Sequence, residues 1–159
     1  MFRKMRRYKQ ELSLQESQAV LMKGTSGVLA VLGDDDYPYA VPLSYLYDGS
    51  RIIFHMAKTG HKMDAIEKHS KVSFCVIDQD QIVEEKYTTY FRSVIVFGKA
   101  HILSEEIEKR EAFENFAAKY SPCDEKGRKA EIQKLFQQTM IVVIEIEHMS
   151  GKEAIELKK

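Results

Sequence analysis

The segment Gly60-His61-Lys62 has the residue types that a phosphate group requires. It follows an apolar strand and opens a short helix, where free backbone N–H groups and the positive end of the helix dipole meet. His61 and Lys62 add side-chain donors at the same place. The alternative is an ordinary surface helix capped by Thr59. Without other evidence, these residues favour this alternative over a phosphate site.

A second candidate anion site is the segment Tyr90-Phe-Arg-Ser-Val94. Arginine can bind phosphate through two parallel hydrogen bonds, whereas lysine cannot. Arg92 and Ser93 point to opposite faces of a regular strand, so both reach one anion only if the strand bends or begins there. A surface salt bridge is the alternative role for Arg92.

Two further strand positions could line a flat ligand. Pro42 cannot donate to a strand ladder, so the strand containing Ala40-Val-Pro-Leu-Ser44 must be an edge, bulged, or open on one side. Its free backbone groups could bind a planar heterocycle edge-on, and a plain edge strand is the alternative. His55 titrates near neutral pH, so it would be a proton donor if it faces a cavity and a structural residue otherwise.

Other catalytic and metal-binding motifs are missing from the sequence. It has no glycine-rich phosphate loop, no Cys-x-x-Cys, no His-Glu-x-x-His and no Gly-x-Ser-x-Gly. Apart from His55 and His61, which are six residues apart, the five histidines lack ligand spacing, so we predict no metal site. Cys75 reads as a small core residue and Cys123 as a loop thiol, which indicates no disulfide and a reducing compartment.

Composition limits the class of partner. The 24 basic and 24 acidic residues cancel, so we expect no nucleic-acid partner and treat the basic residues 3–9 as a solvated arm. The longest apolar run, Met140 to Ile144, is too short to cross a membrane. No apolar segment follows the basic start of the chain, so we expect no signal peptide and a cytoplasmic protein. We predict a polar arm over 1–12 and one domain over 13–159.

The hydrophobic pattern predicts an α+β protein that is mainly antiparallel, because no β–α–β alternation is visible. The long runs between hairpins favour a closed or nearly closed barrel. The residues 81–89 read as irregular or as a weak strand. The predicted helices cover 14–23, 59–68, 104–120 and 124–137, and the six predicted strands cover 27–32, 37–47, 51–57, 71–78, 91–103 and 139–148.

Several of these segments, taken in order, resemble one known family. The resemblance rests on residues 27–32, 37–45, 53–57, 60–62, 90–98 and 146–152, which occur in the expected order and spacing across residues 15 to 152. The sequence is similar to the nitroimidazole-resistance (Nim) family, part of the pyridoxamine 5′-phosphate oxidase-like superfamily of FMN-binding split barrels. Substrate residues specific to pyridoxamine phosphate oxidase are not recognisable.

The resemblance implies a six-stranded FMN-binding split barrel with peripheral helices, which works as a homodimer with two FMN sites at the subunit interface. FAD is a possible replacement for FMN. The flavin ring would lie along Val41, Pro42, Leu43 and Ser44, and beside His55, Met56 and Ala57. The phosphate or ribityl chain would be bound by His61, Lys62, Arg92 and Ser93.

The resemblance also implies a function. The leading hypothesis is a flavin-dependent reductase that takes electrons from NAD(P)H or another donor and passes them to a small aromatic acceptor such as a nitroimidazole. His55 would orient the acceptor or donate a proton. Two alternatives are a flavin-binding or flavin-storage module without turnover, and an interaction barrel without a cofactor.

Overall fold

One antiparallel sheet with four α-helices around it makes up the fold of the computed structural model, which describes residues 1–158. The strands are β1 (Ser26–Leu32), β2 (Pro38–Ser44), β3 (Leu46–Tyr47), β4 (Arg51–Ala57), β5 (Lys71–Val83), β6 (Thr88–Ile102) and β7 (Thr139–Glu153). The helices are α1 (Leu14–Lys23), α2 (His61–Lys68), α3 (Glu106–Tyr120) and α4 (Glu125–Leu135).

The strands follow the order β2–β1–β5–β6–β7–β4–β3, and every neighbouring pair is antiparallel. The predicted α+β class is therefore confirmed. The prediction of a six-stranded closed or nearly closed barrel is wrong, because the sheet has seven strands and is not closed. The predicted strand over 37–47 divides at Tyr45, which puts β2 at one edge of the sheet and β3 at the other.

Pro42 lies in the edge strand β2, as the sequence predicts. The register places it opposite Val28, and Gly33 N–H donates to Tyr37 O at the hairpin end of the same ladder. In an antiparallel ladder the bonded positions alternate, so odd-numbered residues of β2 direct their N–H and C=O groups to β1. Pro42 is even-numbered, and its missing N–H therefore costs no bond to β1.

The sheet has two differently covered faces. Its inner face packs into the main hydrophobic core, which includes Phe54, Phe74 and Val96. The outer face at β4 and β7 is covered by α3 and α4, and a second core that contains Ile53 and Phe113 forms there. The consecutive buried residues Ile52, Ile53 and Phe54 of β4 thus alternate between the two cores.

Local sequence signals account for the helix ends. Ser13 and Glu16 form the predicted capping box, and α1 covers the predicted residues. The helix α2 begins at His61, two residues after its predicted start, and α3 begins at Glu106 rather than at residue 104. Within residues 1–158 no helix is both long enough and apolar enough to span a membrane.

The strands β5, β6 and β7 extend two or more residues beyond the lengths that the pattern predicts, and residues 81–89 mostly belong to β5 and β6.

The first residues of the chain are held on the sheet. Leu12 N–H donates to Gly151 O at 3.0 Å, and the Phe2 ring stacks on His148 with 4.7 Å between ring centroids.

Candidate functional site

The β2–β3 segment divides at Tyr45, and its two halves lie at opposite edges of the sheet. Asp48 N–H donates to Arg51 O, and the same register pairs Leu46 with Ile53. Continued by two residues, this register would place Ser44 opposite His55 as a hydrogen-bonded pair. No such pair forms within residues 1–158, since β2 pairs only with β1. We call the gap between residues 40–44 and 54–57 the split opening.

Unpaired backbone groups face each other across the split opening. On β2 the alternation directs the N–H and C=O groups of Ala40 and Ser44, and the C=O of Pro42, away from β1. On β4 the backbone groups of His55 and Ala57 point to the β3 side, which has no ladder partner beyond Leu46. Strand edges with free donors and acceptors can bind the polar rim of a planar ligand.

The first turn of α2 lies directly beyond β4. Gly60 precedes it with φ of 120°, and Gly60 O accepts hydrogen bonds from Met63 and Asp64. Gly60 has no side chain that could accept from the first turn, so the N–H groups of His61 and Lys62 stay free within the described chain. Three donors, the two N–H groups and the Lys62 ammonium, therefore belong to one helical turn.

Lys62 is a half-buried cation without an ion-pair partner in residues 1–158. Its Nζ lies 5.8 Å from the centroid of the Phe54 ring. Burial lowers the pKa of Lys62, because the charged ammonium is partly removed from water. An anion at this position would compensate that loss of hydration.

His61 is fixed to the β1–β2 turn. Its ring stacks on Tyr39 with 4.3 Å between centroids and 8° between planes, and its Nε2 accepts a hydrogen bond from Asp34 N–H at 3.2 Å. A side chain at Gly33 would contact Nε2 at 2.8 Å, so glycine permits this approach. His61 thereby holds the start of α2 in place, and its Nε2 is already used as an acceptor.

His55 lies on the outer face of β4, against α3. Its ring meets Phe116 edge-to-face with 5.0 Å between centroids, and Phe113 lies 6.4 Å away. Partial burial lowers the pKa of His55, and the positive charge of Lys62 lowers it further. The neutral imidazole therefore predominates at pH 7. Of its neighbours on β4, Met56 is buried in the core and Ala57 is exposed.

Arg92 is bound within a different part of the protein. Its guanidinium bonds to Glu153 through Nε and Nη2, at 2.9 and 2.8 Å, and to Asp78 through Nη1 at 3.2 Å. These carboxylates raise the pKa of Arg92, most through Glu153. The three residues line a cavity of about 510 Å³ near α1. Ser93 points to the opposite face of β6, as the strand alternation requires.

The structure therefore groups the predicted site residues in two places. The β2 positions 41–44, the β4 positions 55–57 and the start of α2 surround the split opening. Arg92 and Ser93 pair with Glu153 and Lys152 near one end of β7, whereas His55 pairs with Ile141 near the other end. Residues 141 and 152 are separated by roughly 35 Å along an extended strand.

Sequence reasoning missed the contribution of α3 to the site. The spacing of Phe113, Phe116 and Tyr120 places them on one helix face, but it does not say which strand that face covers. Helical spacing alone would add Ile107 to the same face, but Ile107 is exposed. A pairing of α3 with β4 would have been needed to connect Phe116 with His55, and no local signal gives it.

The fold and the split opening together describe an antiparallel α+β protein with free backbone groups on two strand edges and free donors on the first turn of α2. A family model described as pyridoxamine 5′-phosphate oxidase matches residues 13–153, and the chain belongs to this family. An uncharacterised protein of Rhizobium meliloti (strain 1021) is 33% identical over 88 residues, 55% of this chain and 53% of that protein. The chain thus spans about half the length of this curated relative.

Solved structures share the fold. An FAD-binding protein of Mesorhizobium loti is 25% identical, with a TM-score of 0.67 over 91% of this chain and 96% of that one. A flavocytochrome of Azotobacter vinelandii is 22% identical, with a TM-score of 0.78 over 94% and 72%. A candidate 5-nitroimidazole antibiotic resistance protein of Bacteroides thetaiotaomicron is 15% identical, with a TM-score of 0.74 over 90% and 86%. The last two likenesses are evidence for the fold alone.

Proposed function

We propose that the split opening binds flavin mononucleotide and that the protein is a reductase of small aromatic acceptors such as nitroaromatics. The observation that carries the proposal is Lys62, a half-buried ammonium on the first turn of α2. Among residues 1–158 it has no counterion, and two N–H groups of the same turn are free. A phosphate dianion supplies the missing charge and accepts all three donors. The FAD-binding relative at 25% identity supports a flavin as the ligand.

The strand edges fit the ring of such a ligand. The backbone groups of Ser44 and His55 face the opening from opposite sides, and Val41 and Leu43 are half-buried beside it. A flat, largely apolar slot with a few polar edge groups is what an isoalloxazine ring requires. When bound, a flavin supplies the two-electron chemistry, and the protein supplies position and electrostatics.

His55 is proposed to act on the acceptor. It is open to solvent on one side and held against Phe116 on the other. Its lowered pKa leaves it neutral at pH 7, so it can donate one hydrogen bond from its N–H to a nitro or carbonyl oxygen. The neutral residue thus orients the acceptor through this hydrogen bond, whereas donating a proton would require the imidazolium form, which burial and Lys62 disfavour.

A second copy of the chain is proposed to complete the site. Ile77, Ile95 and Phe97 project from the outer face of β5 and β6, with exposed fractions of 65%, 40% and 39%. We call this surface the outer β5–β6 face. Exposed apolar surface of this kind favours a protein partner. Ser93 lies on the same face, far from Lys62 of its own chain, and so would reach the flavin of the partner.

The absorption spectrum of the purified protein, with mass analysis of any released ligand, tests the cofactor. Flavin bands and the mass of FMN are expected, while a mass of FAD would name the larger flavin. Colourless protein that fails to take up added FMN contradicts the proposal. Steady-state oxidation of NADH or NADPH with a nitroaromatic acceptor tests the reaction. Bound flavin without turnover across donors would instead indicate a flavin-binding or storage module.

A further inference from the structure

At Tyr45 the chain stops pairing with β1 and begins to pair with β4. The β1–β2 register continues to Tyr45 and Thr25, whose N–H and C=O groups are 3.4 Å apart. That distance is long for an N–H···O bond, which is usually about 2.9 Å. The next residue along, Leu46, pairs with Ile53 of β4 instead. The ladder to β1 therefore loosens at Tyr45.

The hydroxyl of Tyr120 occupies the place where the ladder loosens. Tyr45 N–H donates to Tyr120 Oη at 2.9 Å, and the hydroxyl donates in return to Tyr45 O at 2.8 Å or to Thr25 O. Burial raises the pKa of Tyr120, so the phenol keeps the proton that it donates. One side-chain hydroxyl thus replaces a strand as the partner of the Tyr45 backbone.

The side chain of Tyr45 is held independently of its backbone. The ring is fully buried, and its hydroxyl donates to Leu21 O at 2.7 Å. Lys119 Nζ lies 4.5 Å from the centroid of the ring and donates to Gly24 O. Lys119 and Tyr120, at the end of α3, therefore contact the ring and the backbone of Tyr45 respectively. Tyr45 is next to Ser44, at the split opening.

We propose that Tyr120 is a positioning residue for the flavin in the split opening, because its hydroxyl ends the β1–β2 ladder at Tyr45 and so fixes the backbone beside Ser44. The inference rests on the proposed function, since it assigns the split opening to a flavin. The hydroxyl of Tyr120 bonds to the backbone of Tyr45, the residue that follows Ser44. It acts through the backbone of Tyr45.

The test compares Tyr120→Phe with Tyr47→Phe. Both substitutions remove one tyrosine hydroxyl, and Tyr47 Oη donates to Gly49 O at 2.7 Å in the hairpin beyond the crossing point. In flavin-free protein we expect the amide of Tyr45 to exchange its hydrogen about tenfold faster in Tyr120→Phe, and at the wild-type rate in Tyr47→Phe. An unchanged or slower exchange rate at Tyr45 in Tyr120→Phe overturns the inference.

Flavin affinity supplies the second readout. The dissociation constant of FMN should rise at least about fivefold in Tyr120→Phe and stay unchanged in Tyr47→Phe, as expected for one misplaced hydrogen-bonding edge. Equal affinity of the wild type and Tyr120→Phe overturns the positioning role. If the wild type itself binds no FMN, the proposed function fails, and the exchange rate alone decides whether Tyr120 ends the ladder.

Discussion

Arg92 donates two hydrogen bonds to one carboxylate oxygen of Glu153, from Nε at 2.9 Å and from Nη2 at 2.8 Å. The Glu153 side chain is only 5% exposed. Removing the arginine would leave this buried carboxylate with Lys158 alone, whose Nζ lies 3.6 Å from the other oxygen, so Arg92→Met should lower the free energy of unfolding by about 2–3 kcal/mol. Urea denaturation measures this change in the free energy of unfolding.

Lys129→Met is the control for Arg92→Met, because Lys129 forms an exposed ion pair with Glu125 one turn away. It should leave the urea midpoint unchanged. Arg92→Met should also keep the wild-type FMN affinity, since its guanidinium is committed to Glu153 and Asp78. A large loss of FMN affinity with little loss of stability would instead assign Arg92 to the phosphate, as the sequence suggests.

The same ion-pair network predicts an acid-sensitive fold. Burial raises the pKa of Asp78, but the hydrogen bonds and charges of Lys23 and Arg92 outweigh it and hold the pKa below its usual range. A lowered carboxyl pKa contributes stability above the unfolded value, about 3.9, and that stability is lost as the pH falls through the folded value. The urea midpoint should therefore drop below about pH 4 more steeply in the wild type than in Asp78→Asn. Parallel pH profiles would contradict this assignment.

Lys62 should contribute strongly to flavin affinity. Lys62→Met removes a charged donor from the first turn of α2, and we expect FMN binding to weaken by about 1.5–3 kcal/mol. Lys68→Met, at the other end of the same helix, removes the same charge far from the opening and should bind FMN as the wild type does. Fluorescence titration of FMN measures both. Equal affinities for the two variants would remove Lys62 from the site.

Gly60 should matter for the same turn through its backbone. Its φ of 120° strains any other residue, and so does the φ of 103° at Gly49, while an added Cβ meets no atom within 4 Å at either position. Gly60→Ala and Gly49→Ala should each lower stability by about 1–2 kcal/mol. Only Gly60→Ala should weaken FMN binding. Comparable FMN affinities in the two variants would show that the turn geometry does not serve the ligand.

His55 should titrate below its ordinary value, since burial and Lys62 both disfavour its charged form. Proton NMR of the five histidines, with His55→Gln to assign the resonance, measures the pKa. Phe116→Leu should raise this pKa by exposing the ring.

His55→Gln should keep FMN bound but slow acceptor reduction. His69→Gln, at the exposed end of α2, should change neither FMN binding nor acceptor reduction. Undiminished turnover in His55→Gln would exclude a proton-transfer role.

The outer β5–β6 face should hold two copies together. Ile95→Lys places a charge in the centre of that face and should convert the dimer to a monomer with weak FMN binding. Ile107→Lys is the control, because Ile107 is equally apolar and more exposed, on α3. Sedimentation velocity reads the mass. A dimer that survives Ile95→Lys, or one broken by Ile107→Lys, would place the interface elsewhere.

Local signals were sufficient for much of the fold. The capping box predicts the bounds of α1, the apolar run 51–57 predicts those of β4, and Pro42 limits its strand to an edge, a bulge or an opening, of which the structure shows the edge. Each of these signals lies within a few residues of the feature it defines. The same holds for Gly60 and Lys62, whose positions at the start of α2 follow from the sequence.

The contacts that divide the predicted second strand are not local. Tyr45 leaves the ladder where a hydroxyl 75 residues later meets its backbone, and His55 is covered by an aromatic residue from the same distant helix. Arg92 finds its carboxylate 61 residues away. Pattern and propensity describe neighbours in the chain, so they predict one long strand and leave open whether Arg92 binds an anion or forms a salt bridge.

The register of β4 has a consequence for synthesis on the ribosome. Its residues 51–57 pair with residues 139–145 of β7, the last of the seven strands along the chain. Until that strand emerges, the buried run Ile52-Ile-Phe54 has only the two residues of β3 to cover one edge. A nascent chain halted before residue 139 should therefore expose the apolar strand β4 with one edge unpaired. Chaperones that bind apolar segments should bind this nascent chain.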